Sequence, residues 1–328
     1  MDLQRNKTAL FRVKQGQSFA FKTTYAEMRA WEFVRECARR GLDVHVCVGG
    51  LDSITLLTWL RAIGINCPAV SVSMLEDASI QAVHARLGVE PVPPRRGMVA
   101  VLRDYGYPVI GKQEAAKIAA LQRPTADNAE LRRGILTGVG PDGRFSRRRQ
   151  LAARWLRLFG GSDPDGARLG YAAAPFAVSD RCCEMQKEEP LRRWAAQRHS
   201  APFLGLMASE GGRRERALIE HGCNYFGAGV VRSAPFAIFG RQDLLRLALD
   251  VGAPVPEIYG EIRRDADGTL YTTGADRTGC TMCGFGAHLE DRPNRFDLLR
   301  RRDGRAWRYW MYDRGWGDVL DYIGVGWR

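Results

Sequence analysis

Val44-His45-Val46-Cys47-Val48-Gly49-Gly50-Leu51-Asp52-Ser53 is the stretch whose reading decides the fold. Its valines favour extended backbone, and the two glycines end the run. Asp52 or Ser53 then precedes an apolar segment, residues 54–63, that closes at Gly64. The order is strand, glycine turn, helix. Upstream, Tyr25, Met28, Trp31, Val34 and Cys37 recur at three-residue steps over residues 24–41 and stop at Gly41, which predicts an amphipathic helix. Downstream, residues 69–74 and 89–92 read as strands on either side of a helix over 78–87. Such alternation predicts a parallel sheet covered by helices, an α/β fold.

Further along, Gly134, Gly138, Gly140, Gly143, Gly160, Gly161, Gly166 and Gly170 break up residues 123–180, which predicts a basic, loop-rich insertion. Regular signals return in a strand over 202–207 and a leucine-rich helix over 242–251. The tail holds Trp307, Tyr309, Trp310, Tyr312, Trp316, Tyr322 and Trp327, a density that suits a packed cap better than a base-stacking platform. The expected organisation is an N-terminal extension (1–23), a nucleotide-binding α/β domain (24–235) and a C-terminal aromatic and cysteine-bearing region (236–328).

The chain has 328 residues, 45% hydrophobic and 26% charged, enough for a substantial core. No segment approaches the roughly eighteen apolar residues of a membrane span, and none reads as a signal-peptide core, so the expected location is cytoplasmic, with no membrane partner. A formal charge of +12 suits a polyanion or a phosphorylated substrate. Arginines crowd at 144–157 and at 300–308; each run is read equally well as a solvated helix face or a nucleic-acid contact. In a reducing compartment eight cysteines are not expected to form disulfides. Cys37, Cys47, Cys67 and Cys223 stand alone and read as small buried apolar residues. Cys182 and Cys183 are adjacent, and Cys280 and Cys283 are spaced C-x-x-C. Four thiolates suit a 4Fe-4S cluster or a tetrahedral zinc, and the adjacent pair is unusual for zinc, so iron–sulfur is favoured.

The glycine turn is shaped for phosphate, because glycines allow close approach and a helix N-terminus offers N–H groups; a plain capped turn is the competing reading. At this turn the chain resembles the adenine-nucleotide α-hydrolases with a pyrophosphate loop, in the branch that includes phosphoadenylylsulfate reductases. Their loop reads Ser-Gly-Gly-Lys-Asp-Ser, where this chain has Val48, Gly49, Gly50, Leu51, Asp52 and Ser53. Val48 removes a hydroxyl and Leu51 the phosphate-facing cation, which weighs against ATP hydrolysis. The resemblance extends to Cys182-Cys183 followed by Lys187 and Pro190-Leu191, to residues 205–210 with Arg214, to Pro235 through Asp243, and to Arg277-Thr278-Gly279-Cys280-Thr281-Met282-Cys283-Gly284. Residues 288–290, 294–296 and 319–323 continue a subgroup found in bacteria and phages, similar to the iron–sulfur subunit that installs phosphorothioate in DNA. The likeness covers most of residues 24–325.

The resemblance implies a parallel twisted sheet with helices on both faces and a 4Fe-4S cluster on Cys182, Cys183, Cys280 and Cys283. It implies Gly49, Gly50, Asp52 and Ser53 as nucleotide-binding and Lys187, Arg214 and Asp52 as catalytic, with Arg277 a third anion-facing cation. His288 is expected to be a satisfied core histidine. ATP (with Mg2+), AMP or a sulfonucleotide is the implied ligand; DNA or RNA, a cysteine desulfurase or other sulfur donor, and a second copy of the chain are the expected partners. The activity implied is ATP-dependent sulfur transfer to a nucleotide or nucleic acid. A sulfonucleotide reductase is the alternative, although no cysteine follows Cys283 to serve as the family's C-terminal nucleophile. A non-catalytic iron–sulfur binding protein is the third reading.

Overall fold

The computed structural model describes residues 2–160, 174–227 and 229–328. They group into two compact units, Met1–Pro93 with Pro190–Cys280, and Pro94–Glu189 with Thr281–Arg328. Residues 236–328 are thus shared between the two. In chain order the strands are β1 (Asp43–Cys47), β2 (Ala69–Ser71), β3 (Glu90–Pro91), β4 (Val109–Ile110), β5 (Ser200–Leu204), β6 (Asn224–Gly227), β7 (Val230–Ser233), β8 (Ile262–Arg264), β9 (Leu270–Thr272) and β10 (Gly284–Phe285).

The first unit is built on a six-stranded sheet in the order β3-β2-β1-β5-β7-β6. All pairings are parallel except that of β6 with β7. Along β1, alternate side chains serve opposite faces, as the strand period of two requires. Val44 and Val46 join Phe33, Leu57, Leu60 and Phe203 in the main core, with Phe33 and Phe203 in edge contact at 4.9 Å. On the other face Cys47 packs with Val70, Val72, Val92 and Trp194, and His45 lies 5.0 Å from the Trp194 ring. Helices therefore cover both faces: Phe19–Arg39 and Leu51–Ala62 on one, and the helix carrying Leu191 and Trp194 on the other. Burial pushes the His45 imidazole down to about 4, so it stays neutral, with Nδ1 2.8 Å from the Ser200 hydroxyl. The expected extension at 1–23 is helical over Asp2–Gln15 and seats Phe11 in the main core.

The second unit has a short parallel pair, β10 with β4. The expected loop-rich insertion holds two helices, Ala129–Thr137 and Ala153–Phe159. Gly161, Gly166 and Gly170 lie outside the described residues. Of the arginine run, Arg144, Arg147, Arg148 and Arg149 are exposed outside any helix, whereas Arg154 and Arg157 are exposed on the helix Ala153–Phe159. The aromatic tail forms a packed cap: Trp307, Trp316 and Trp327 are buried, and the Tyr322 hydroxyl donates to the Leu158 carbonyl at 2.6 Å. Tyr312 remains exposed. Among the described residues no helix is long and apolar enough to cross a membrane.

Sheet order reverses direction at β1 and β5, where the turn after β1 and the segment after β5 come together. Gly205 makes that approach possible: a Cβ there would lie 2.9 Å from the Ser53 Cα. Replacing Gly205 by alanine should cost about 1–3 kcal/mol, as overpacking does. Gly304→Ala, with nothing within 4 Å of its added methyl, should leave urea unfolding almost unchanged. Equal midpoints for the two variants would contradict this account.

Candidate functional site

In open α/β sheets ligands bind outside the carboxyl ends of the strands where the order reverses. That place holds the Gly49–Ser53 turn and residues 205–210. The helix Leu51–Ala62 begins with Gly50 at its N-cap. The Gly49 N–H donates to Ser53 Oγ at 2.7 Å, and Ser53 Oγ donates to the Gly50 carbonyl at 2.9 Å. His84, 2% exposed, donates from Nε2 to the Gly49 carbonyl at 2.8 Å. The Leu51 N–H donates to the Tyr259 hydroxyl at 3.1 Å, and that hydroxyl lies 2.6 Å from Thr278 Oγ1. Leu51 itself is buried among Ile80, Leu245, Tyr259 and Leu270. At this position the side chain points into an apolar cluster, which accounts for leucine where the resembling loop has lysine. Val48 is likewise part of the main core.

Charged groups gather beside the turn. Arg241 Nη1 donates to Asp52 Oδ1 at 2.9 Å, and its Nη2 donates to the Asp276 carbonyl at 2.9 Å. Glu210, whose side chain is 6% exposed, pairs with Arg214 and, at 3.5 Å, with Arg277. Its other oxygen accepts from the Met207 N–H at 3.3 Å. Burial pushes the Asp52 carboxyl above its usual range; Arg241 beside it works the other way, Glu210 adds to the rise, and Arg277 and Arg214 oppose it. Asp52, Arg214 and Arg277 therefore share one electrostatic neighbourhood, with Gly49, Gly50 and Ser53 adjoining it. The arrangement brings three guanidinium groups to the turn, where Asp52, Glu210 and the buried Glu76 are the carboxylates beside them; guanidinium forks are the side chains that bind phosphate oxygens.

Lys187 belongs to the second unit, as do Cys182, Cys183 and Cys283; Cys280 is the last residue of the first. Cys182 is buried, with its thiol 3.6 Å from the Met98 sulfur. Burial raises the Cys183 thiol above its usual range, the Lys112 ammonium opposes that rise by charge and by hydrogen bonding, Cys283 adds to it, and Lys187 opposes it. Burial works against the Lys112 charge too, but Cys183 and Glu188, 3.3 Å away, hold its pKa above the ordinary value. Arg295 pairs with Glu290 and donates to the Cys283 carbonyl at 2.8 Å, tying down the C-x-x-C segment. Cys183 and Cys283 thus lie close enough to act on each other electrostatically, with Lys112 and Lys187 beside Cys183. Among the described residues, no group of three or more His, Cys, Asp or Glu is gathered closely enough to hold a metal ion as it stands.

The lone cysteines behave as small apolar residues. Burial pushes Cys37 and Cys67 to about 11 and Cys47 to about 12, and raises Cys223. His288 meets the Trp155 ring edge-on at 5.3 Å, and burial, with Arg154 nearby, lowers its pKa. His288 is half-buried and its Nδ1 has no hydrogen-bond partner, so it is not the satisfied core histidine that the sequence predicts. Sequence reasoning missed Tyr259, Thr278 as a loop contact, Arg241, Lys112 and Arg295. Arg241 falls inside the Pro235 to Asp243 stretch, but nothing in its neighbours signals that it returns to Asp52.

No protein-family model matches the chain, and no curated relative does. A solved structure is similar to it. This is a phosphoadenylyl-sulfate (PAPS) reductase from Candida auris in a phosphate complex, 10% identical, with a TM-score of 0.36 over 73% of this chain and 88% of that one. At that identity and score, no residue role or activity carries across. The α/β architecture with its mostly parallel sheet stands on the strand pairing itself.

Arg241→Leu should leave the Asp52 carboxylate desolvated beside Glu210, at a cost of about 1–3 kcal/mol. A carboxyl whose folded pKa lies above its unfolded value favours folding at low pH and loses that contribution as pH rises through the folded value. The variant's deficit in urea unfolding should thus be largest at pH 8 and shrink towards pH 5. A deficit constant across that range would show that Arg241 does not act through Asp52.

Proposed function

We propose that this chain is an iron–sulfur sulfur-transfer enzyme acting on a nucleotide or nucleic acid. Cys182, Cys183, Cys280 and Cys283 would hold the cluster. The observation that carries the reading is Cys183, half-buried near Cys283, with Lys112 and Lys187 as two cations that favour its thiolate where burial opposes it. When bound, a 4Fe-4S cluster supplies thiolate-ligated iron and sulfide at which sulfur can be held. Lys112 and Lys187 balance the thiolate charge there, and Arg295 fixes the Cys283 backbone. In the first unit Arg214, Arg277 and Arg241 supply the positive charge for a substrate phosphate, with Asp52 orienting Arg241. The net charge of +12 favours a nucleic-acid substrate through counterion release.

A second reading, a nucleotide- or nucleic-acid-binding iron–sulfur protein without catalysis, is favoured by Leu51, whose buried side chain brings no cation to the turn. Anaerobically purified protein should be coloured and carry about four iron and about four sulfide per chain. Cys183→Ser and Cys283→Ser should each lose most of both. A colourless, zinc-loaded or metal-free anaerobic protein would overturn the cluster. Labelled sulfur from cysteine and a cysteine desulfurase appearing in added nucleic acid supports transfer; its absence favours binding alone. Turnover of a sulfonucleotide with a thioredoxin system would instead establish a reductase.

A further inference from the structure

The glycine turn is closed from within. In a loop that holds phosphate, backbone N–H groups at the helix start point at the ligand. Here the Leu51 N–H is already bound to the Tyr259 hydroxyl, and the Gly49 N–H to Ser53 Oγ. The space is filled as well: a Cβ on Gly50 would lie 2.2 Å from the Tyr259 hydroxyl oxygen and 2.9 Å from Thr278 Oγ1. The two hydroxyls are bonded to each other at 2.6 Å, so each holds the other against the turn. The Tyr259 ring is anchored in the apolar cluster of Leu51, Ile80, Leu245 and Leu270 and is 3% exposed. A tyrosine so held is a fixed hydroxyl placed against the helix start.

We infer that Tyr259 and Thr278 are specificity-determining residues: their paired hydroxyls stopper the glycine turn against a polyphosphate and leave the neighbouring arginines to hold a single phosphate. The inference rests on the reading of the first unit as the holder of a nucleotide or nucleic acid. Arg241, Arg214 and Arg277 stand beside the turn on Asp52 and Glu210, where a phosphomonoester or phosphodiester needs no access to the Leu51 N–H. A pyrophosphate seated on the turn would have to break the Leu51–Tyr259 bond and displace Thr278. Thr278 stands two residues before Cys280, so the segment that carries a sulfur ligand also carries half of the stopper.

The test is calorimetric titration of inorganic pyrophosphate and of AMP into the full chain, as wild type, Tyr259→Phe, Thr278→Ala and the double variant. Phenylalanine keeps the ring in its apolar cluster, and thermal melting checks each fold. If Tyr259→Phe melts early, Thr278→Ala, a change in a half-exposed loop, carries the test. Pyrophosphate should bind the double variant at least tenfold more tightly than wild type, while AMP affinity changes less than threefold. Equal pyrophosphate affinity in wild type and folded variants, or no binding by any of them, would overturn the stopper. Equal gains for AMP and pyrophosphate would overturn the specificity role. Iron and sulfide content is measured on the same samples: loss of the cluster reading would appear there, independently of the titrations.

Discussion

The parallel pairing of β1 with β5 is the constraint on which the first unit depends. It joins Asp43–Cys47 to Ser200–Leu204 residue by residue, two segments separated by more than 150 positions in the chain. Parallel strands cannot be joined by a tight turn, so every neighbour relation at their carboxyl ends is made by distant sequence. The glycine turn after β1 and the Gly205–Glu210 segment after β5 therefore meet without any local signal linking them. Gly205 is the physical condition of that meeting, since a side chain there would run into the backbone of Ser53.

Around that junction, buried charge is managed by pairing rather than by exposure. Burial raises the Asp52 carboxyl above its ordinary range and Glu210 adds to the rise, while Arg241, Arg277 and Arg214 oppose it. A carboxylate desolvated without such partners would take up a proton. The side chain of Leu51 contributes packing where a lysine would contribute charge. The positive charge of the site accordingly sits on long side chains from residues 214, 241 and 277, not on the turn.

The second unit sets burial against charge in the same way, with sulfur in place of carboxylate. Cys183 loses hydration and gains Lys112 and Lys187. Its C-x-x-C partner is held through backbone contacts, by Arg295 at the Cys283 carbonyl and by β10 against β4. Gly284 permits that strand pairing, because an added Cβ would lie 2.8 Å from the Pro108 carbonyl oxygen. The aromatic cap beneath is stabilised by burial of large rings, and its basic residues partly cover those rings: Arg300 lies 4.9 Å from the Trp307 ring centre and Arg328 4.5 Å from that of Trp327.

Local patterning was enough to place the strands near 44–48, 69–74, 89–92 and 202–207 and the helices between them, because period and glycine punctuation are properties of neighbouring residues. The glycine turn at residues 49–53 and the bland burial of Cys37 and Cys223 were legible for the same reason, while Cys47 and Cys67, expected to be buried, are half-buried. The helices inside residues 123–180 were not, since frequent glycines mask short elements that tertiary packing completes. Nor was the occupation of the turn: Tyr259 and Thr278 reach it from more than 200 positions away, and Arg241 reaches Asp52 across 189. Sequence alone determined that a strand meets a glycine turn and that four cysteines come in two pairs. Only the tertiary structure decided that the Leu51 N–H is already bonded to Tyr259 and that position 51 faces apolar residues, because hydrogen-bond partners across a parallel sheet are set by folding topology, not by proximity along the chain.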